Sequence, residues 1–306
     1  LAVAVLLGAC SDSSEDNKAD TAAPAGSDGS DGSTDGADGD GADGGEGNGG
    51  DGSSDLEAPS YSQGSCPTFA DGVNEGFVHA HGSHDLTLIL PPEPAGAPVL
   101  YAWHWLGGSA RQIVNAMELE ALAEREGVIV VAPDSAGSPY EWEFVSSPVD
   151  NPDLALFVDS LACLSEQYEV DLSRIWTTGM SAGGLWTTYL TMHESRWLAA
   201  SAPLSGGTFP GSYSTPESTL PVMVTWGGPD DTYGSDVNFE ETSLDFSGRL
   251  QDDGHFVVEC VHSRGHTLPP DATELVWSFL SVHAKGQPSP WAGGLPDSLP
   301  DWCRLP

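Results

Sequence analysis

The segment Ile175-Trp176-Thr177-Thr178-Gly179-Met180-Ser181-Ala182-Gly183-Gly184 reads as a strand that runs into a tight turn and leaves as a helix. Its approach is apolar and β-branched, which suits a buried strand. Leu185 to Met192 then carries apolar groups at the spacing of a packed helix. Ser181 stands at the corner between Gly179 and Gly183, the pattern of a nucleophile elbow, in which a strained turn pushes the hydroxyl out of the sheet. A bare G-x-S-x-G match carries little weight in a chain with 37 glycines, because chance supplies such matches. The strand before it and the helix after it give the match its meaning, and they make Ser181 a candidate nucleophile.

Outward from this corner the chain alternates strands and helices. Leu86 to Leu90 predicts a strand ended by Pro91-Pro92, and Val99 to His104 a second, buried strand. Ala110 to Arg125 has helical periodicity closed by Gly127, and Val128 to Ala132 is the continuous apolar run of a central parallel strand. A helix over about 152–168 leads to the elbow strand. Strands at 198–203, 221–226 and 255–260 follow, and a last helix over about 271–283. The alternation predicts an α/β fold: a mostly parallel, doubly wound sheet with helices on both faces and ligands outside the strand C-terminal ends. The Pro-rich end from Gly286 shows few helix or strand signals, and only the loops at about 135–151 and 205–220 are long enough to form a cap.

A serine hydroxyl needs a histidine to take its proton, and that histidine needs a carboxylate to fix its tautomer. His266 lies in Gly265-His266-Thr267-Leu268-Pro269, just past a strand end and just before the last helix, which makes it the candidate base. His255 falls at the wrong edge of the sheet, His283 on the terminal helix, and His262 is the weaker competitor. The acid is expected after the preceding strand, where Trp226-Gly227-Gly228-Pro229-Asp230-Asp231 supplies two adjacent aspartates, Asp230 and Asp231. An oxyanion also needs donors. The Ala182 amide is one, and the loop His104-Trp105-Leu106-Gly107-Gly108 offers a second from Leu106 or Trp105. Trp105, Tyr140, Trp142 and Trp186 fall near the expected mouth, where Trp142 and Trp186 are candidates for stacking on substrate.

Taken together, these loops resemble those of the secreted polyhydroxybutyrate depolymerase and feruloyl esterase group of α/β-hydrolases. There His-Gly-Cys-Gly-Gly, Gly-x-Ser-x-Gly-Gly, His-Gly-Thr-x-Asp and Gly-x-Gly-His-x-Trp-Pro fill the corresponding places in the same order. The resemblance covers about residues 66–285. It implies the α/β-hydrolase fold and a serine esterase acting without metal or cofactor on a polyhydroxyalkanoate-type polyester or a feruloyl-type ester. Trp105 replaces a family glycine and Trp226 a family histidine. A gap-free match puts the acid at Asp230, while matching the Asp-Thr dipeptide puts it at Asp231.

The chain opens with a short apolar run ending Leu7-Gly8-Ala9-Cys10, similar to the end of a bacterial lipoprotein signal with Cys10 as the lipidated residue. An ordinary secretory h-region with an incidental cysteine is the alternative. Residues 11–60 are Asp, Gly, Ser and Ala with almost no large apolar group, so they predict a disordered tether before a hydrolase domain over 61–306. The Asp-Gly repeats lack the ligand spacing of a calcium loop. A formal net charge of −37 argues against nucleic acid and anionic lipid as partners. Cys66, Cys163, Cys260 and Cys303 form an even set for an oxidising compartment, and sequence leaves their pairing open. They are too far apart for a zinc knuckle. The expectation is an exported ester hydrolase, membrane-anchored or secreted. An α/β-hydrolase peptidase and a non-catalytic binding protein on the same scaffold are the alternatives.

Overall fold

The computed structural model describes residues 56–306. Cys10, the apolar run before it and the tether reading up to residue 55 lie outside the described residues.

The described residues form a nine-stranded sheet. In chain order its strands are β1 (Gly72–His79), β2 (Gly82–Ile89), β3 (Val99–Trp103), β4 (Ile129–Pro133), β5 (Ile175–Met180), β6 (Ala200–Leu204) and β7 (Val222–Trp226). A small hairpin of β8 (Thr232–Tyr233) and β9 (Val237–Asn238) stands apart, and β10 (Val257–Val261) and β11 (Cys303–Arg304) complete the sheet. The spatial order is β1-β2-β4-β3-β5-β6-β7-β10-β11. All pairings from β4 to β10 are parallel, while β1–β2, β2–β4 and β10–β11 are antiparallel.

The central strands are buried along their whole length because both faces are covered. In β3, Val99, Tyr101 and Trp103 pack on one face with Phe157, Trp186 and Phe246, while Leu100 and Ala102 pack on the other with Ile113, Leu122 and Phe279. The first face is therefore roofed by α3 (Pro152–Tyr168), α4 (Ala182–His193) and α5 (Phe239–Asp252). The second is covered by α1 (Ala110–Ala116), α2 (Leu119–Glu126) and α6 (Ala272–Leu280). The single helix expected over Ala110–Arg125 is two helices. Met117 closes α1 and Glu118, at φ 47, is left-handed, which turns the chain before α2. The periodicity is continuous across this break because both helices lay their apolar residues on one sheet face.

Two disulfides tie the periphery to this core. Cys66 pairs with Cys163 on α3, and Cys260 on β10 pairs with Cys303 on β11. The second bond, the β10–β11 pairing and the Arg304–Glu259 ion pair at 2.6 Å dock the C-terminal segment on the sheet edge. Among the described residues no helix is long and apolar enough to cross a membrane.

Candidate active site

Ser181 joins β5 to α4 at φ 59 and ψ −117, a conformation that side-chain-bearing residues rarely hold. Its N–H bonds Leu204 O at 3.0 Å and its carbonyl accepts from Leu185 N at 2.8 Å, so sheet and helix together enforce the corner. Gly183 makes the corner possible. A Cβ there would lie 2.1 Å from Trp103 O, because the first turn of α4 rests directly on the end of β3. The corner leaves Ser181 only 8% exposed, with its hydroxyl facing His266.

His266 Nε2 is 2.8 Å from Ser181 Oγ, and His266 Nδ1 is 2.6 Å from Asp231 Oδ1. The carboxylate can only accept, so Nδ1 carries the proton and Nε2 is left to accept from the serine. Of the two candidate aspartates, the turn after β7 directs Asp231 inward and leaves Asp230 exposed. Asp231 N bonds Gly228 O at 3.0 Å and its Oδ2 accepts from Gly227 N at 2.7 Å, which locks the side chain beneath the turn. Asp230, the alternative left open by the sequence, is exposed and makes no bond to His266. Burial pushes the Asp231 carboxyl up, but bonds from His266, Gly227 N–H and Ser205 outweigh it and hold the group below the usual carboxylate range.

Two contacts here escaped the sequence reading. Ser205 Oγ donates to Asp231 Oδ2 at 2.7 Å from a left-handed backbone at φ 48. The Phe239 ring lies parallel to the imidazole at 4.5 Å, and Phe239 N bonds Asp231 O at 2.9 Å. Neither residue belongs to a motif. A serine at a strand end and a phenylalanine opening a helix signal a role only once the sheet brings them to the site. The competing histidines are engaged elsewhere: His255 Nδ1 with Leu220 O, His283 with Phe279 O and Ser289, and His262 against Trp302.

Ala182 opens α4, where the first helical amides have no intrahelical acceptor. Opposite it, the 104–108 loop leaves β3. Trp105 O accepts from Gly108 N at 2.8 Å and from His104 Nδ1 at 2.9 Å. In a trans peptide the next N–H points away from the carbonyl, so these bonds turn the Leu106 amide outward.

A cleft of about 360 Å³ opens over Ser181 and His266, walled by Trp105, Leu106, Met180, Tyr233 and Leu268. Trp142 and Trp186 do not line it, contrary to expectation. Both are fully buried, in edge-to-face contact with Trp103 at 5.1 and 5.7 Å. Trp186 lies on the side of α4 that faces the sheet, and the Trp142 indole donates to His104 O at 2.9 Å beneath the loop. Among the described residues no group of three or more His, Cys, Asp and Glu could hold a metal ion.

The strand order, the elbow after β5 and loops bearing Ser181, Asp231 and His266 in that chain order define an α/β-hydrolase fold. Comparison with known proteins agrees. The chain is similar to the bifunctional acetylxylan esterase/xylanase XynS20E of Neocallimastix patriciarum, 24% identical over 160 residues that cover 52% of this chain and 23% of that protein. It is also similar to feruloyl esterase B of Thermothelomyces thermophilus, 29% identical over 133 residues, 40% of this chain and 44% of that protein. The chain thus spans less than half the length of these curated relatives. The solved structure of native sOPH matches with a TM-score of 0.64 at 18% identity, over 78% of this chain and 96% of that chain, a likeness of fold. No protein-family model matches the chain.

Proposed function

We propose that the folded unit is a serine esterase that hydrolyses carboxylic esters through an acyl-enzyme. The observation that carries this reading is the continuous hydrogen-bonded array Ser181–His266–Asp231 at the foot of an open cleft. Ser181 Oγ attacks the ester carbonyl as His266 Nε2 takes its proton. Asp231 holds the imidazole in the required tautomer and stabilises the imidazolium. The amides of Ala182 and Leu106 receive the oxyanion, the first of them at the positive end of α4. His266 then returns the proton to the departing alcohol, and a water activated by the same nitrogen releases the acid.

The cleft is walled mainly by Trp105, Leu106, Met180 and Leu268, its polar groups are Ser181, Tyr233, His266 and Thr267, and among the described residues no Asp, Glu, Lys or Arg side chain lines it. That lining favours a neutral acyl group, such as a hydroxyalkanoate oligomer, a polymer of it, or a feruloyl-type ester. The names of the two curated relatives support esters of small acids or aromatic acids. Two disulfides support an oxidising compartment, and the Leu7-Gly8-Ala9-Cys10 sequence supports export with a lipid anchor at Cys10. The test is a hydrolysis panel of aryl, acetyl and feruloyl esters and polyester films. Turnover of at least one, abolished in Ser181→Ala, is expected. A folded wild type that hydrolyses none would overturn the reading in favour of a binding scaffold.

A further inference from the structure

We propose that Glu141 is a positioning residue that locks the oxyanion-loop turn in its working form. The inference rests on the esterase reading above. The turn is Trp105-Leu106-Gly107-Gly108, closed by Gly108 N to Trp105 O at 2.8 Å, with Gly107 at φ 69. A positive φ at the third position is the type II form. The type I form keeps the same closing bond but flips the middle peptide, and glycine tolerates both. Leu106 and Gly107 are both exposed, so packing does little to choose between the forms.

Glu141 makes the choice. Its Oε1 accepts from Gly107 N at 2.7 Å, and its Oε2 accepts from Ser135 Oγ. In the flipped turn the Leu106 carbonyl would face this carboxylate in place of the Gly107 N–H, replacing an attraction with a repulsion. Glu141 itself sits at φ 69, a left-handed conformation unfavourable for a residue with a side chain. A bond from Glu141 N to Ser138 O at 3.0 Å helps hold it there. Below the turn, Trp142 Nε1 on His104 O at 2.9 Å and Ser135 N on His104 Nε2 at 3.3 Å anchor the base of the loop. The 135–142 segment thus grips the oxyanion loop at both its base and its tip. The flip itself does not turn the Leu106 amide, which belongs to the preceding peptide and is oriented by the bonds to Trp105 O. It breaks the Gly107–Glu141 bond, and with it the hold that keeps the exposed tip, and the Leu106 amide on it, in place at the cleft.

A donor that meets only the transition-state oxygen affects turnover and not ground-state binding. Glu141→Ala is therefore expected to lower kcat by about 10- to 100-fold, less than the roughly 10²–10³ that removing an oxyanion donor outright costs, because the donor is loosened and not lost. KM should stay within about twofold, as a group acting only in the transition state requires. Affinity for an aryl boronic acid, whose adduct puts an oxygen in the same place, should fall by the same factor as kcat/KM. Glu141→Gln keeps the size and one acceptor and should fall between wild type and Glu141→Ala. If Glu141→Ala does not fold by near-ultraviolet circular dichroism, Glu141→Gln carries the test.

Gly107→Ala supplies an independent arm. A Cβ there meets nothing within 4 Å, so it acts only by disfavouring the positive φ, and it should reproduce the loss confined to kcat. An inactive wild type would overturn the esterase reading and this inference with it. An active wild type alongside folded variants with unchanged kcat and boronate affinity, or a change confined to KM, would overturn the Glu141 inference alone.

Discussion

Gly183→Ala probes the junction on which the site depends. The added Cβ would lie 2.1 Å from Trp103 O, 2.6 Å from Trp103 C and 2.7 Å from His104 O. Favourable carbon contacts begin near roughly 3.5 Å, so relief requires a separation of about an ångström between α4 and the end of β3. All three atoms are backbone, so no side chain can rotate away. Overpacking of this kind costs about 1–3 kcal/mol, which for a domain this size lowers the melting temperature by roughly 2–12 °C. The functional loss should be larger in proportion. The displaced carbonyls lead into the 104–108 loop while the helix carries Ser181 and Ala182, and a misplacement of about 1 Å can cost about 100-fold. The assay is kcat on an aryl ester together with a thermal melt. Gly248→Ala is the control: in α5, with nothing within 4 Å of its Cβ, it should leave activity unchanged and add about 0.4–1 kcal/mol of stability. A Gly183→Ala enzyme with wild-type kcat and melting temperature would refute the close-approach reasoning.

Three further outcomes follow from the same structure. Asp231→Asn should lower turnover by up to about 10⁴-fold while Asp230→Asn stays near wild type, and two equally mild variants would place the acid elsewhere. Stability should fall as pH drops from 6.5 toward 4. Burial first, and then neighbouring His84, pull His79 down to about 4, so the unfolded chain takes up a proton in that window that the fold refuses. His193, His255, His262 and His283 are lowered by burial and act in the same direction, while Glu194, raised by burial, opposes them. A denaturation midpoint that is flat between pH 7 and pH 4.5 would contradict this. Cys10→Ala should move the protein from the membrane to the soluble fraction, and unchanged retention would sink the lipid-anchor proposal.

The sequence made seven of the nine sheet strands and the corner at Ser181 legible, because those features depend on local pattern: apolar runs, turn glycines and helical spacing around each motif, while the edge strands β1 and β11 carry no such run. What it left open depends on where side chains point after the sheet has formed. Asp230 and Asp231 are neighbours of identical chemistry, and only the bond from Gly227 N to Asp231 Oδ2 separates an inward from an outward carboxylate. Trp142 and Trp186 read as mouth residues by their proximity in sequence to the loops. Their large apolar area is instead better buried against Trp103, with the Trp142 N–H satisfied by His104 O. The helix α5 was missed because Thr242, Ser243 and Ser247 occupy buried positions that an apolar pattern would fill with larger groups. Ser205 and Glu141 lie outside every motif, and their contacts join loops distant in sequence. Disulfide pairing belongs to the same class, since Cys66 and Cys163 stand 97 residues apart in sequence and are neighbours only in the folded chain.

The central claim is that Ser181 is a nucleophile activated by His266. Its most direct test is covalent labelling with a serine-directed fluorophosphonate, followed by mass spectrometry of the digested protein. One adduct at Ser181 is expected in the wild type. In folded His266→Ala labelling should be slowed by orders of magnitude, and in Ser181→Ala it should vanish. No uptake by the wild type, an adduct at another residue, or equal labelling rates with and without His266 would contradict the account.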